Sequence, residues 1–292
     1  MARLNFVRPK TLPDAIRILE SNPDWMPLAG GTDLLVRSRD GLLRAEGVVD
    51  LTALSELRGI RVAGAALVIG ALVTHSELAS DPRVRHLALA LAQAAEQIGS
   101  PAIRNRGTLG GNLVNASPAA DLVPPLVALD AVVLVEGPTG LEEVPAESFA
   151  EGPGRTVLRA AQIVTGVKIR LRGDTRRSRF VRLGTRNALA IAKVSVAIAA
   201  QVDERQGILR DVRIALGAVG PTVLRASRAE KALDGWRFRE GPFPETALEA
   251  VRVDARPITD LRSTDEYRRE MCAVLLRRAA LHIVAESSGA ER

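Results

Sequence analysis

With 292 residues the chain has room for two domains, and 47% hydrophobic with 25% charged residues is the composition of an ordinary globular protein. No run of about eighteen uncharged apolar residues occurs, so no membrane-spanning helix is expected, and the start lacks the apolar core of a secretion signal, which makes the cytoplasm the expected address. The single cysteine, Cys272, excludes a disulfide framework and any cysteine-rich metal or iron–sulfur site within the chain.

The net charge of +6 is mostly arginine, with lysine only at Lys10, Lys168, Lys193 and Lys231. It is dispersed, and aromatics make up only 3%, whereas single-strand binders combine a basic groove with stacking rings. A solvated arginine surface is therefore favoured over a nucleic-acid site.

In chain order, 11–22 predicts a helix with Thr11 as N-cap and Ala15, Ile16 and Leu19 at helical spacing. Segment 47–51 reads as a short buried strand. Segment 60–78 reads as a β-hairpin running into a helix start, and 86–99 as one strong helix closed by Gly99 and Pro101. A helix around Pro124 and Pro125 precedes a strand at 131–135, and 162–171 alternates as a strand. The polar stretch 172–179 reads as an inter-domain linker whose Arg172, Arg176, Arg177 and Arg179 form a solvated or subunit-facing run. Beyond it, 188–203 predicts a helix leading into a strand, and 208–220 a strand. Two further helices close the chain, the second long and amphipathic. The expected domains are 1–175, with subdomains of about 1–55 and 56–175, and 176–292, both α+β.

Two glycine pairs carry the chemistry. Gly30 and Gly31 are followed by Thr32 and Asp33; Gly110 and Gly111 sit between Thr108 and Asn112, about eighty residues on. Paired glycines permit positive φ and close approach. Successive exposed N–H groups form an anion-binding concavity. Two such loops could grip a diphosphate from opposite sides without a lysine; each pair alone is also an ordinary turn. A Rossmann fingerprint is absent, since no third glycine follows Gly31, although Asp50 ends a strand at a tempting distance. No P-loop pattern occurs either.

The motifs at 27–36, 69–78, 104–131, 182–197 and 213–226, in that order, resemble the FAD-binding medium subunit of the molybdenum hydroxylase family, the group of xanthine and carbon monoxide dehydrogenases. The resemblance runs from Phe6 to about Ala280. It implies an α+β fold: a two-subdomain FAD-binding domain of the vanillyl-alcohol oxidase (PCMH) type, then a small C-terminal domain with a three-stranded antiparallel sheet. It implies that Pro27, Leu28, Ala29, Gly30, Gly31, Thr32, Asp33 and Leu34 wrap the diphosphate of a non-covalent FAD. Thr108, Leu109, Gly110, Gly111 and Asn112 would close on it. Asp121 would meet the adenosine or diphosphate half, Val164 the flavin, and Arg182 the flavin edge. Some relatives set an aromatic against the isoalloxazine at positions matching Ile98 or Leu189, aliphatic here; an acidic residue, common near 188–190, is also replaced, by Ala188, Leu189 and Ala190.

The same resemblance implies partners: a small subunit with two [2Fe–2S] clusters and a large molybdopterin subunit, as a dimer of heterotrimers. The acceptor would be NAD, a quinone or oxygen. No catalytic acid or base and no metal ligand is nominated in this chain, since the redox chemistry belongs to the cofactor. His75 is a cofactor neighbour or, preferably, a solvent-facing helix-start residue. Cys272 reads as packing. Asp33 either hydrogen-bonds within its loop or meets the ligand, and Arg104 and Arg106 either pair with phosphate or stay exposed. Two other classes stay open: a self-sufficient flavin oxidase of the same fold, and a basic nucleic-acid-binding protein. Covalently flavinylated members of the fold usually carry histidine in the first glycine loop, where this chain has Thr32 and Asp33.

Overall fold

The computed structural model describes residues 4–173, 176–186 and 190–287. The first unit is a three-stranded parallel sheet in the order Asn5–Val7, Gly47–Asp50, Trp25–Leu28. Parallel neighbours need crossovers, supplied here by helices Leu12–Ser21 and Leu34–Arg39. Thr11 caps the first of these, accepting the Asp14 N–H at 3.3 Å. Its stripe of Leu12, Ala15, Ile16 and Leu19 packs on Val49, Leu51, Leu54 and Leu57, and on Leu72 and Ile163 from the next unit. All three strands end at one edge, and the first glycine loop follows Trp25–Leu28 there.

The second unit is a five-stranded antiparallel sheet in the order Ile60–Ala63, Ala66–Gly70, Ile163–Arg170, Val132–Gly137, Gly140–Pro145. Helices including Leu89–Glu96 and Val123–Ala128 share its apolar core. The single helix expected over 86–99 is two, Pro82–Leu87 and Leu89–Glu96, broken at Ala88 (φ −147°, ψ 51°). The Ala90 N–H donates to the Ser178 hydroxyl at 3.1 Å, so a strand far along the chain helps satisfy the second helix's start.

The third unit is a four-stranded antiparallel sheet, Arg176–Leu183, Val194–Asp203, Ile208–Gly217 and Leu224–Arg225, where three strands were expected; the fourth has two residues. Helices Ser227–Leu233, Glu245–Asp254 and Asp265–Ser287 cover one face. The helix expected from 188 is not seen in the part described: 190–193 is irregular, the strand starts at Val194, and 187–189 lie outside the described residues. The misreading has a cause. Ala197 and Ala199 pack on the second unit, while Val194, Val196, Ile198 and Val202 pack on the C-terminal helices. A strand buried on both faces loses the alternation that marks a strand.

The expected linker 172–179 also differs, because a strand begins at Arg176. Its arginines are not a solvated run. Arg172 reaches Asp130 and Asp211, each at 3.0 Å, and Arg176 reaches Asp211 at 2.7 Å. Arg213 contacts Asp211 at 2.8 Å and Asp130 at 3.4 Å, while Arg225 bridges Asp130 at 3.4 Å and Glu230 at 2.9 Å. Both aspartates are left-handed, with φ of +50° and +47°, and Asp211 sits at a β-bulge. Their carboxylates join the second unit to the third. Asp211→Ala leaves three guanidinium groups short of a partner, and is expected to cost about 1–3 kcal/mol in urea unfolding.

Candidate cofactor site

The two glycine loops touch. A Cβ on Gly30 would collide with the backbone carbonyl of Arg106, so only glycine lets the first loop lie against the second. Gly31 has φ +74°, the left-handed region. Among the described residues, the backbone N–H groups of Gly30, Gly31, Thr32 and Asp33 donate to no protein acceptor. Four consecutive free donors in a loop that is mostly half-buried call for an anionic or acceptor-rich ligand. The carboxylate of Asp33 makes no capping bond to helix Leu34–Arg39 and is exposed.

The second loop is built differently. Most of its N–H groups are consumed, that of Thr108 excepted: Gly107 donates to Ile103 at 2.7 Å, Leu109 to Val73 at 2.9 Å and Gly110 to Ala71 at 2.8 Å. Gly111 donates to the Thr108 hydroxyl at 3.1 Å and Asn112 to the Thr108 carbonyl at 3.0 Å, so Thr108 caps helix Leu109–Val114. Among the described residues the first loop presents four N–H groups without a protein acceptor and the second presents that of Thr108, while the adjoining Arg106–Gly107 backbone braces Gly30. The second loop also offers Asn112, whose buried Oδ1 has no partner.

Asp121 and Arg182, expected at different parts of the cofactor, form one buried ion pair at 2.6 Å. Burial pushes the Asp121 carboxyl up, to about 6, against the pull of Arg182. Asp121 Oδ1 is buried and unpartnered, an acceptor left for a ligand hydroxyl or N–H. Arg182 also lines a cavity of about 420 Å³ with Gln97, Leu183, Gly184, Thr185 and Arg186. Ile98, next to Gln97, is half-buried against the core, and Val164 is buried in it. Ala188 and Leu189 lie outside the described residues. A second cavity, about 190 Å³, adjoins Gly30 and Gly31. Free amides in one loop, with orphaned acceptors at Asn112 and Asp121, fit a dinucleotide bearing a diphosphate and hydroxyls.

Comparison with known proteins decides the family. Residues 2–170 match the model of the FAD binding domain in molybdopterin dehydrogenase, and 179–283 that of the CO dehydrogenase flavoprotein C-terminal domain. The chain belongs to this family of FAD-binding flavoproteins. It is 36% identical to the nicotinate dehydrogenase FAD-subunit of Eubacterium barkeri, over 80% of this chain and 81% of that one. It is 30% identical to a xanthine dehydrogenase FAD-binding subunit of Escherichia coli, over 98% and 97%. A solved carbon monoxide dehydrogenase from Hydrogenophaga pseudoflava superposes with TM-score 0.91 at 31% identity, covering 98% of each chain. The flavoprotein is thus a subunit type of oxidoreductases.

Three further residues have definite places in the fold. His75 does not face solvent: it is 4% exposed, its backbone N–H donates to Gly107 at 3.0 Å, and its Nδ1 is buried without a partner. The capping box of Thr74 and Glu77 starts a helix there but says nothing of which way the ring turns. Arg104 closes a turn, donating to the carbonyls of Ile98 at 3.0 Å and Gly99 at 3.2 Å. Cys272 is buried, which pushes its thiol up to about 12, as packing requires.

Burial, and then the nearby Arg104 charge, hold the His75 pKa down, to about 4 from 6.5. The folded flavoprotein holds the neutral ring. That contribution is complete above pH 6.5 and is lost as pH falls from 6.5 towards 4, about 3 kcal/mol at most. Urea midpoints measured across this window should fall with acid in the wild type and less steeply in His75→Phe.

Proposed function

We propose that the flavoprotein is the electron-transfer subunit of a molybdenum hydroxylase. Electrons enter from the [2Fe–2S] clusters of a small partner subunit, fed by a molybdopterin subunit, and leave through non-covalent FAD to NAD, a quinone or oxygen. The assembly is a dimer of heterotrimers in the cytoplasm. The domains are 1–175 (subdomains about 1–55 and 56–175) and 176–292. The observation that carries the cofactor assignment is the row of four N–H groups from Gly30 to Asp33 that donate to no protein acceptor among the described residues, together with the orphaned acceptors of Asn112 and Asp121.

Each residue has a task in this reading. Gly30 to Asp33 hold the diphosphate, and the backbone at Arg106–Gly107, just ahead of Thr108–Asn112, keeps that loop in place. Asn112 and Asp121 accept from the sugar or ribityl hydroxyls. Arg182 offers positive charge at the flavin ring, with Ile98 and Val164 as apolar neighbours. Bound flavin supplies the conversion between single-electron and paired-electron transfer; the protein supplies placement and charge. The lone, buried Cys272 leaves cluster ligation to a partner.

The test is co-expression with the adjacent genes, followed by size-exclusion chromatography and acid extraction. One FAD per chain, released into the acid supernatant, and co-elution of three subunits are expected. A flavoprotein that elutes alone and turns over a substrate at ordinary enzymatic rates would instead be a self-sufficient oxidase.

A further inference from the structure

The cavity beside the first glycine loop is walled in part by Arg8, a residue that sequence reading did not single out. Phe6, Arg8 and Asp50 face Gly30, Gly31 and Arg106 across about 190 Å³. The cavity opens at the carboxyl ends of three parallel strands: Arg8 follows the first, Asp50 ends the second and Gly30 follows the third. Open sheets collect ligands at that edge.

Arg8 is held there by design of its surroundings. Asp50 is 2% exposed; its Oδ1 accepts the Thr52 N–H at 2.9 Å and its Oδ2 accepts the Arg8 Nε–H at 2.7 Å. The guanidinium carbon stands 5.9 Å from the Phe6 ring centroid. Only Nε is used. The two terminal nitrogens donate to no protein acceptor among the described residues, and the side chain is 59% exposed.

We propose that Arg8 is the counter-cation of the cofactor diphosphate, and that Asp50 is a positioning residue that aims it. The inference rests on the FAD reading above. Backbone N–H groups give a diphosphate directed hydrogen bonds but no full charge. An arginine gives both, in a planar fork matched to phosphate oxygens. Of the ionisable groups lining the cavity, two are arginines, and the one carboxylate is already engaged by Arg8. Tethering Nε fixes the fork before the ligand arrives, so less side-chain freedom is lost on binding.

The test titrates full-length apoprotein with FAD by flavin fluorescence, with ADP and riboflavin as competitors. Arg8→Met should weaken FAD and ADP by about 10- to 100-fold, flatten the salt dependence, and leave riboflavin unchanged. Arg8→Lys should recover part of the loss. Asp50→Asn, with the Arg8 charge intact, should weaken FAD by a smaller factor. Arg237→Met, an exposed arginine in the third unit, should change nothing. If the wild type binds FAD and Arg8→Met binds it within twofold, the proposal fails while the FAD reading stands. Equal losses for riboflavin and ADP would also overturn it, as general damage. A folded wild type that takes neither FAD nor ADP removes the FAD reading, and this inference with it.

Discussion

Gly31→Val is expected to lower FAD affinity more than a hundredfold, the largest single effect at the diphosphate loop. The residue sits at φ +74°, where a β-branched side chain costs about 1–3 kcal/mol. Its Cβ would also stand 3.1 Å from Leu35 Cδ1 and 3.3 Å from Leu28 Cδ1. Relief of that strain rotates the peptides on either side, and those peptides carry the free N–H groups. Each charge-assisted hydrogen bond lost adds about 1.5–3 kcal/mol. Gly111→Val should behave otherwise: that glycine is exposed, lies in a helix, and its Cβ would meet only the Thr108 hydroxyl, at 3.0 Å. Fluorescence titration with thermal melting separates the two. Gly31→Val should keep most of its stability and lose FAD, whereas Gly111→Val should lose stability through the cap with a smaller loss of FAD.

Asp121→Ala should be among the most destabilising substitutions near the site, at about 3–5 kcal/mol, because it strands the Arg182 guanidinium, 5% exposed, without its partner. Asp121→Leu combined with Arg182→Met replaces both charges by apolar groups and should regain most of that stability. It should not regain the cofactor, since Asp121 Oδ1 and the Arg182 charge are both gone. Equal FAD affinity in the double variant and the wild type would show that the pair serves the fold alone. Chemical denaturation and FAD titration on the same preparations give both quantities.

What was legible in the sequence was the chemistry that is local. Glycine pairs beside hydroxyls, the Thr11 cap, and the alternating strand at 208–217 all announce themselves within a few residues. What was not legible depends on partners far along the chain. The break at Ala88 accompanies a hydroxyl from Ser178. The strand at Val194–Asp203 hides because it has two buried faces. Two of the second loop's amides, those of Leu109 and Gly110, are spent on Val73 and Ala71, which no spacing rule foretells. Asn5–Val7, a strand of three residues, gave no periodic signal, so Arg8 went unremarked beside it. Pairing Asp121 with Arg182, 61 positions apart, is likewise a fact of folding rather than of pattern.

The seating of Gly30 on the Arg106 carbonyl has a mechanical corollary. The donor loop belongs to the first sheet and its brace to the second, so a molecule filling the space between them mortars two masonry courses together. Binding there adds to the folding free energy by mass action, about 2.7 kcal/mol when free ligand is a hundred times its dissociation constant. An empty chain is expected to part first along that joint, leaving the glycine loop and the already exposed helix Leu34–Arg39 open to proteases while the other two cores stay shut. Flavin supply is then expected to set how long each copy resists proteolysis, quite apart from any electron it carries.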